Sequence, residues 1–150
     1  MPVHERFTIG DRWVSFKIYC GPSTANMLLL KCMAPLIKEM ENSLMIDKWF
    51  FIRYNDPDSH LRRRFHLTTL SNFGAFIMRI KEVLRPYRCS MEIWDVQLHG
   101  YQRELERYGD TSIALVESFF YHDSKLMILT LENTFSYEDY FSKFLSAFRK

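Results

Sequence analysis

Apolar and polar residues alternate along residues 12–20, and that alternation predicts a strand. Val14, Phe16 and Ile18 fall on one face, with Trp13, Ser15, Lys17 and Tyr19 on the other. Gly21-Pro22 breaks the pattern, and Ser23 or Thr24 can cap a helix. Over residues 25–42 the period changes to helical. Leu29, Cys32, Met33, Leu36, Ile37 and Met40 make one apolar face, and Met27, Met33 and Met40 read as core packing. Pro35 should kink or divide this helix. Residues 47–54 are nearly continuous in apolar and aromatic side chains, as in a strand buried on both faces. Asn55-Asp56-Pro57-Asp58 is a turn signal, and residues 61–67 form a third strand, antiparallel to the second because the connection is short. Thr68 to Ser71 supply a cap. Phe73, Phe76, Ile77, Ile80 and Leu84 mark a second helix that Pro86 should end, and residues 91–98 form a fourth strand.

The order strand, helix, strand, strand, helix, strand predicts an α+β fold with a ferredoxin-like βαββαβ core and an antiparallel sheet. C-terminal helices should follow. Residues 101–110 read as a loop or short helical turn. Residues 111–122 read as a helix with Ile113, Val116, Glu117 and Phe120 on nearby turns. Asp123-Ser124 then cap a helix over 125–133, and a last helix spans 137–148 with Tyr140, Phe141, Phe144 and Phe148 in one stripe. Residues 1–10 show no pattern.

The chain has 150 residues, which favours a single domain over 1–150. An aromatic content of 16% argues for a substantial core and against disorder. A net charge of +2 is too small to imply nucleic-acid binding by bulk electrostatics. Cys20, Cys32 and Cys89 match no zinc or CxxC spacing and read as free thiols in a reducing compartment. The N-terminus carries no signal-peptide pattern, and no apolar run approaches the roughly 20 residues of a membrane span. A cytoplasmic protein without a cofactor is expected.

Candidate chemistry concentrates in the second and third strands. Leu61, Arg63, Phe65 and Leu67 share one face; Arg62, Arg64 and His66 share the other. Guanidinium groups fixed on a strand suit a carboxylate or phosphate, and this alone implies no reaction. A second cluster holds Arg103, Glu104, Glu106, Arg107 and Tyr108. By itself it reads as a surface helical turn with intrahelical ion pairs. His60, His99 and His122 are isolated in the sequence, and no HExxH, phosphate-binding glycine loop or Ser/His/Asp signature occurs.

Four stretches together resemble one family: Trp13 to Tyr19, FFIRYNDPDSHLRRRF at 50–65, YQRELERYGD at 101–110, and ALVESFFYHDSK at 114–125. The family is the small C-terminal domain of lantibiotic dehydratases, also found alone as thiopeptide-type bacteriocin biosynthesis proteins. The resemblance implies elimination of glutamate from glutamylated Ser or Thr of a precursor peptide, leaving a dehydroamino acid. Arg62, Arg64, Glu104 and Arg107 then match the family's catalytic positions, and Arg53, His66 and Tyr108 are assigned to substrate binding. The implied partners are a precursor peptide and a separate glutamylating dehydratase protein, with assembly as a homodimer or hetero-complex. The family carries a histidine-asparagine-arginine motif nearer its C-terminal end, whereas no histidine follows His122 here. The expectation is therefore a short domain, completed by another chain, using a different base, or serving as an inactive module that binds the precursor peptide or completes a partner. The family also has an apolar residue where this chain has Arg63. A cation on the core face should snorkel to solvent or lie at an interface.

Overall fold

A computed structural model describes residues 5–55 and 58–148, with side chains described as far as Thr134. The strands are β1 (Arg6–Phe7), β2 (Trp13–Cys20), β3 (Ile46–Tyr54), β4 (His60–Leu67), β5 (Ile93–His99) and β6 (Tyr101–Gln102). The helices are α1 (Pro22–Met27), α2 (Ala34–Asn42), α3 (Phe73–Cys89), α4 (Leu105–Tyr108) and α5 (Ile113–Phe148). The main sheet has the order β3-β4-β2-β5, with every neighbouring pair antiparallel. β4 thus lies between β2 and β3, so the helical connection from β2 to β3 crosses over an intervening strand. This is the expected α+β architecture.

Strand alternation sorts the core. Val14, Phe16 and Ile18 join Trp49, Phe51, Leu61, Phe65 and Leu67 in one large cluster, closed by Leu29, Met33, Leu36 and Met40 from the first helical segment and by Phe76, Ile80 and Leu84 from α3. The opposite sheet face carries a small aromatic cluster of Trp13, Phe50 and Tyr101, packed by Phe7, Ile52 and Phe120. β3 therefore buries side chains on both faces, as its composition predicts.

Several elements differ from expectation. The first helical segment starts with Pro22 at its first turn and Gly21 as cap, and neither Ser23 nor Thr24 caps it. Residues Leu28–Met33 form a π-helical turn before α2. Pro35 cannot donate to the carbonyl of residue 31 and its ring crowds that carbonyl; the wider turn relieves both effects. α3 has no side-chain cap from the Thr68–Ser71 stretch and runs through Pro86 to Cys89. Pro86 is exposed and lies in the last turn, so only the final few residues of the helix follow it. The expected C-terminal helices are one helix, α5. No Gly or Pro follows Gly109, so no strong breaker divides it between Ile113 and Phe148. The side chains of Tyr140, Phe141, Phe144 and Phe148 lie outside the described residues.

Residues near the N-terminus also contribute a strand. β1 pairs antiparallel with β6, joining Arg6 to Gln102 and Phe7 to Tyr101. Gly100 permits this approach: a Cβ there would sit 2.7 Å from the Phe7 carbonyl oxygen. Arg63 neither snorkels nor lies at a surface. It has 0% exposure, and its Nε, Nη1 and Nη2 have no hydrogen-bond partner. Its guanidinium carbon lies 5.3 Å from the Phe65 ring centroid and 5.7 Å from that of Phe51. Burial pushes its pKa down to about 9.

Candidate anion-binding site

The site lies on the aromatic face of the sheet. Pairing places Arg62 opposite Ile52 of β3 and Lys17 of β2, and Arg64 opposite Phe50 and Ser15. Tyr101 and Gln102 of β6 close one side, and Ile113, Phe120, Asp123 and Met127 of α5 form a wall. Together they enclose a cavity of about 500 Å³. Its lining includes Arg53, Arg62, Arg64, Glu104, Arg107 and Tyr108. Two sequence clusters some forty residues apart are thereby brought into one concavity. His66, on the same strand face, is not among the described lining residues. Its Nδ1 lies 2.6 Å from Asp47 Oδ1, and its ring packs 5.0 Å from that of Trp13. Arg53 lines the cavity while also bonding to the side chain of Asn26.

The two central arginines are held differently. Arg64 lies over aromatic faces, 4.4 Å from the Tyr101 centroid and 5.4 Å from that of Phe50. Its Nε is buried without a partner. Burial lowers its pKa, Arg62 adds to that effect, and Tyr101, Tyr54 and Glu104 oppose it. Arg62 lies 3.8 Å from the Tyr54 centroid and donates from Nε to His60 Nε2 at 3.3 Å. Arg107 is largely exposed, with Nη1 3.8 Å from Glu104 Oε2. The second cluster is thus a short helical turn with an ion pair, as expected, and its open side faces the cavity.

A buried framework supports this arrangement. Glu117 of α5 is 2% exposed. It accepts from Tyr101 Oη at 2.8 Å and takes a two-pronged hydrogen bond from Arg103, from Nε at 2.9 Å and Nη2 at 2.7 Å. It therefore orients the ring on which Arg64 rests. The sequence signal was a carboxylate within the apolar stripe of residues 113–120, where an acid is buried only if paired. His99 is brought to the same sheet face. Its Nδ1–H donates to the Gly100 carbonyl at 2.7 Å, leaving Nε2 to accept from Ser15 Oγ at 3.2 Å. Burial lowers its pKa, and Lys17, Arg64 and Arg62 reinforce the shift against the Gly100 hydrogen bond. Among the described residues no group of His, Cys, Asp and Glu could hold a metal, and no helix is long and apolar enough to cross a membrane. Guanidiniums, aromatic walls and two carboxylates, Glu104 and Asp123, line this cavity, and fixed guanidiniums are suited to an anionic group.

The family model for the lantibiotic biosynthesis dehydratase C-terminal region matches residues 13–148. The chain belongs to this family. Lantibiotic dehydratase relatives agree. The chain is 32% identical over 124 residues to the nisin biosynthesis protein NisB of Lactococcus lactis subsp. lactis, covering 81% of this chain and 12% of that protein. It is 28% identical over 118 residues to the subtilin biosynthesis protein SpaB of Bacillus subtilis, covering 78% and 11%. The crystal structure of the tRNA dependent lantibiotic dehydratase MibB from Microbispora sp. 107891 superposes with a TM-score of 0.74 at 27% identity, over 84% of this chain and 12% of that one. The crystal structure of TsrL gives 0.66 at 26% identity, over 81% and 35%. This family domain therefore spans about one-eighth of the length of NisB and SpaB.

Proposed function

We propose that the arginine-lined cavity receives the glutamyl group of a glutamylated Ser or Thr in a precursor peptide and promotes loss of glutamate. The observation that carries this reading is the meeting of Arg62, Arg64, Arg107 and Glu104 in one cavity of a lantibiotic-dehydratase domain. Elimination removes the α-proton of the esterified residue, forms its Cα–Cβ double bond and breaks the Cβ–O bond. Glutamate departs as a carboxylate. Charge develops on that carboxylate and on the enolate-like intermediate, where fixed guanidiniums stabilise it most. In this assignment Arg62 and Arg64 clamp the glutamyl group and Arg107 joins them from α4. Glu104 orients Arg107 or relays the proton, and Arg53 and Tyr108 contact substrate. His66, committed to Asp47, is not assigned a contact.

The chain acts in this reading as one domain beside a separate protein that glutamylates the peptide. A second reading, a module that holds the precursor peptide without reacting, is favoured by the solvation of Glu104, whose side chain is 60% exposed. A solvated carboxylate is a poor base for a carbon acid. Mass spectrometry of a glutamylated peptide incubated with the chain separates the two. Loss of the glutamate mass with formation of a dehydro residue supports elimination. Binding without mass change supports the module. Neither binding nor mass change overturns both.

A further inference from the structure

His60 does not reach the cavity, yet its environment is more fully specified than that of any arginine there. It is 3% exposed. It pairs in register with Tyr19 of β2 and Tyr54 of β3, and both rings pack on it, at 4.8 Å and 36° and at 5.5 Å and 11°. Its Nδ1 lies 2.8 Å from the Asp58 carbonyl oxygen. A carbonyl only accepts, so Nδ1 carries a hydrogen. Nε2 faces Arg62 Nε–H at 3.3 Å. A guanidinium only donates, so Nε2 is the bare acceptor. The two partners each permit a single role: Nδ1 donates to the Asp58 carbonyl and Nε2 accepts from Arg62.

We infer that His60 is a positioning residue: it takes up Arg62 Nε–H so that the two Nη groups of Arg62 are presented together to the anion in the cavity. An arginine has five N–H donors, and two-pronged recognition uses either the Nη pair or Nε with one Nη. Occupying Nε removes the side-on mode and leaves the end-on mode. Tyr54 fixes the plane, since the Arg62 guanidinium carbon lies 3.8 Å from the ring centroid on which His60 also stacks. Among the described residues Arg62 has no other hydrogen-bond partner. Arg64, by contrast, has its Nε buried without a partner and rests on aromatic faces. The edge that Arg62 offers to a ligand is therefore its end. The one free carboxylate of a glutamyl ester can be met end-on by the Arg62 fork.

This inference rests on the glutamyl reading only for its ligand; the His60–Arg62 contact is tested separately. Nitrogen-15 NMR of the histidine-labelled chain should show His60 as the Nδ1–H tautomer, and Arg62 Nε–H should exchange slowly and become faster in His60→Phe. A peptide carrying N-glutamyl diaminopropionate, an amide that cannot eliminate, serves as the binding probe for calorimetry. His60→Phe keeps the ring stack and should weaken binding about tenfold, the scale of one hydrogen bond to a charged group. His60→Gln, whose amide oxygen reaches the Nε2 position, should recover most of that loss. On an Arg62→Lys background, His60→Phe should have no further effect. Thermal melts of the variants separate these effects from misfolding. An Nε2–H tautomer, unchanged Arg62 Nε–H exchange in His60→Phe, or additive losses in the double variant would overturn the inference. If the unsubstituted chain fails to bind the peptide, the glutamyl reading falls and the NMR measurements alone decide the positioning role.

Discussion

Replacing Arg63 by Met should stabilise the protein. The guanidinium is fully buried, and its three nitrogens have no hydrogen-bond partner. Its pKa falls from the ordinary arginine value to about 9 because burial disfavours the charge. At about 1.4 kcal/mol per pH unit, the folded core disfavours the cation by roughly 5 kcal/mol. Contacts with the Phe51 and Phe65 rings return about 2 kcal/mol of that. Met is similarly long and unbranched, carries no charge and packs well against aromatic rings. The net expectation is a gain of about 3 kcal/mol, or roughly 6–12 °C in melting temperature for a chain of this size. Urea unfolding followed by the fluorescence of buried Trp13 and Trp49 measures it directly. The pH dependence supplies an internal check. The folded form loses its Arg63 proton above about 9 while the unfolded chain, at the ordinary arginine value, retains it well beyond that, so the unfolded state binds more protons in that window. Stability of the unsubstituted chain should therefore rise there relative to the variant, and the gap should close by about 2 kcal/mol by pH 10.5. A variant less stable at pH 7, or a gap constant through pH 10.5, would refute the argument that Arg63 is a buried, uncompensated cation.

Glu117→Gln should cost about 3 kcal/mol, because it leaves Arg103 facing a neutral amide in a buried pair; a melting temperature within 1 °C of the unsubstituted chain would contradict this. Ellman's reagent should titrate one thiol in the native protein and three in denaturant, since Cys89 is exposed, Cys20 and Cys32 are buried, and burial pushes Cys20 up to about 11. Fast reaction of a second native thiol would show that a core segment opens. His66→Ala should leave binding of the N-glutamyl diaminopropionate peptide unchanged by calorimetry, because His66 is occupied by Asp47 and Trp13; a tenfold loss would return His66 to the site.

The strands were legible because period-two alternation separates two unlike faces. Val14, Phe16 and Ile18 sit in the large core, and Arg62 and Arg64 lie on the opposite face, as their positions predict. The meeting of those arginines with Glu104 and Arg107 was legible only through resemblance, since no local pattern links residues 62 and 107. Other features were hidden for specific reasons. β1 is two residues long, too short for any period, and exists because β6 and Gly100 receive it. Asp123-Ser124 has the composition of a cap, but tertiary packing of α5 on β3 overrides that local preference. His60 looked isolated because the rings that stack on it come from a strand forty residues upstream and from the far side of a turn, while its hydrogen-bond partners Asp58 and Arg62 lie two residues away in no recognisable motif. Arg63 was readable as facing the core, but the sequence offered no sign that it would stay there unpaired.

Ser124 gives α5 one further consequence. Its hydroxyl, 2% exposed, accepts the backbone N–H of Phe51 at 3.2 Å. Phe51 lies on β3, the outermost strand of the sheet, whose outward amides would otherwise be open to a stray strand from another molecule. The helix that contributes Ile113, Phe120, Asp123 and Met127 to the cavity wall thus also guards the sheet against edge-to-edge aggregation. Moving this wall aside to admit a peptide would break the Ser124 bond and uncover a sticky edge. The two duties favour entry through the cavity mouth while α5 stays in place, and they make Ser124 a position where access to the cavity and protection of the sheet edge are set together.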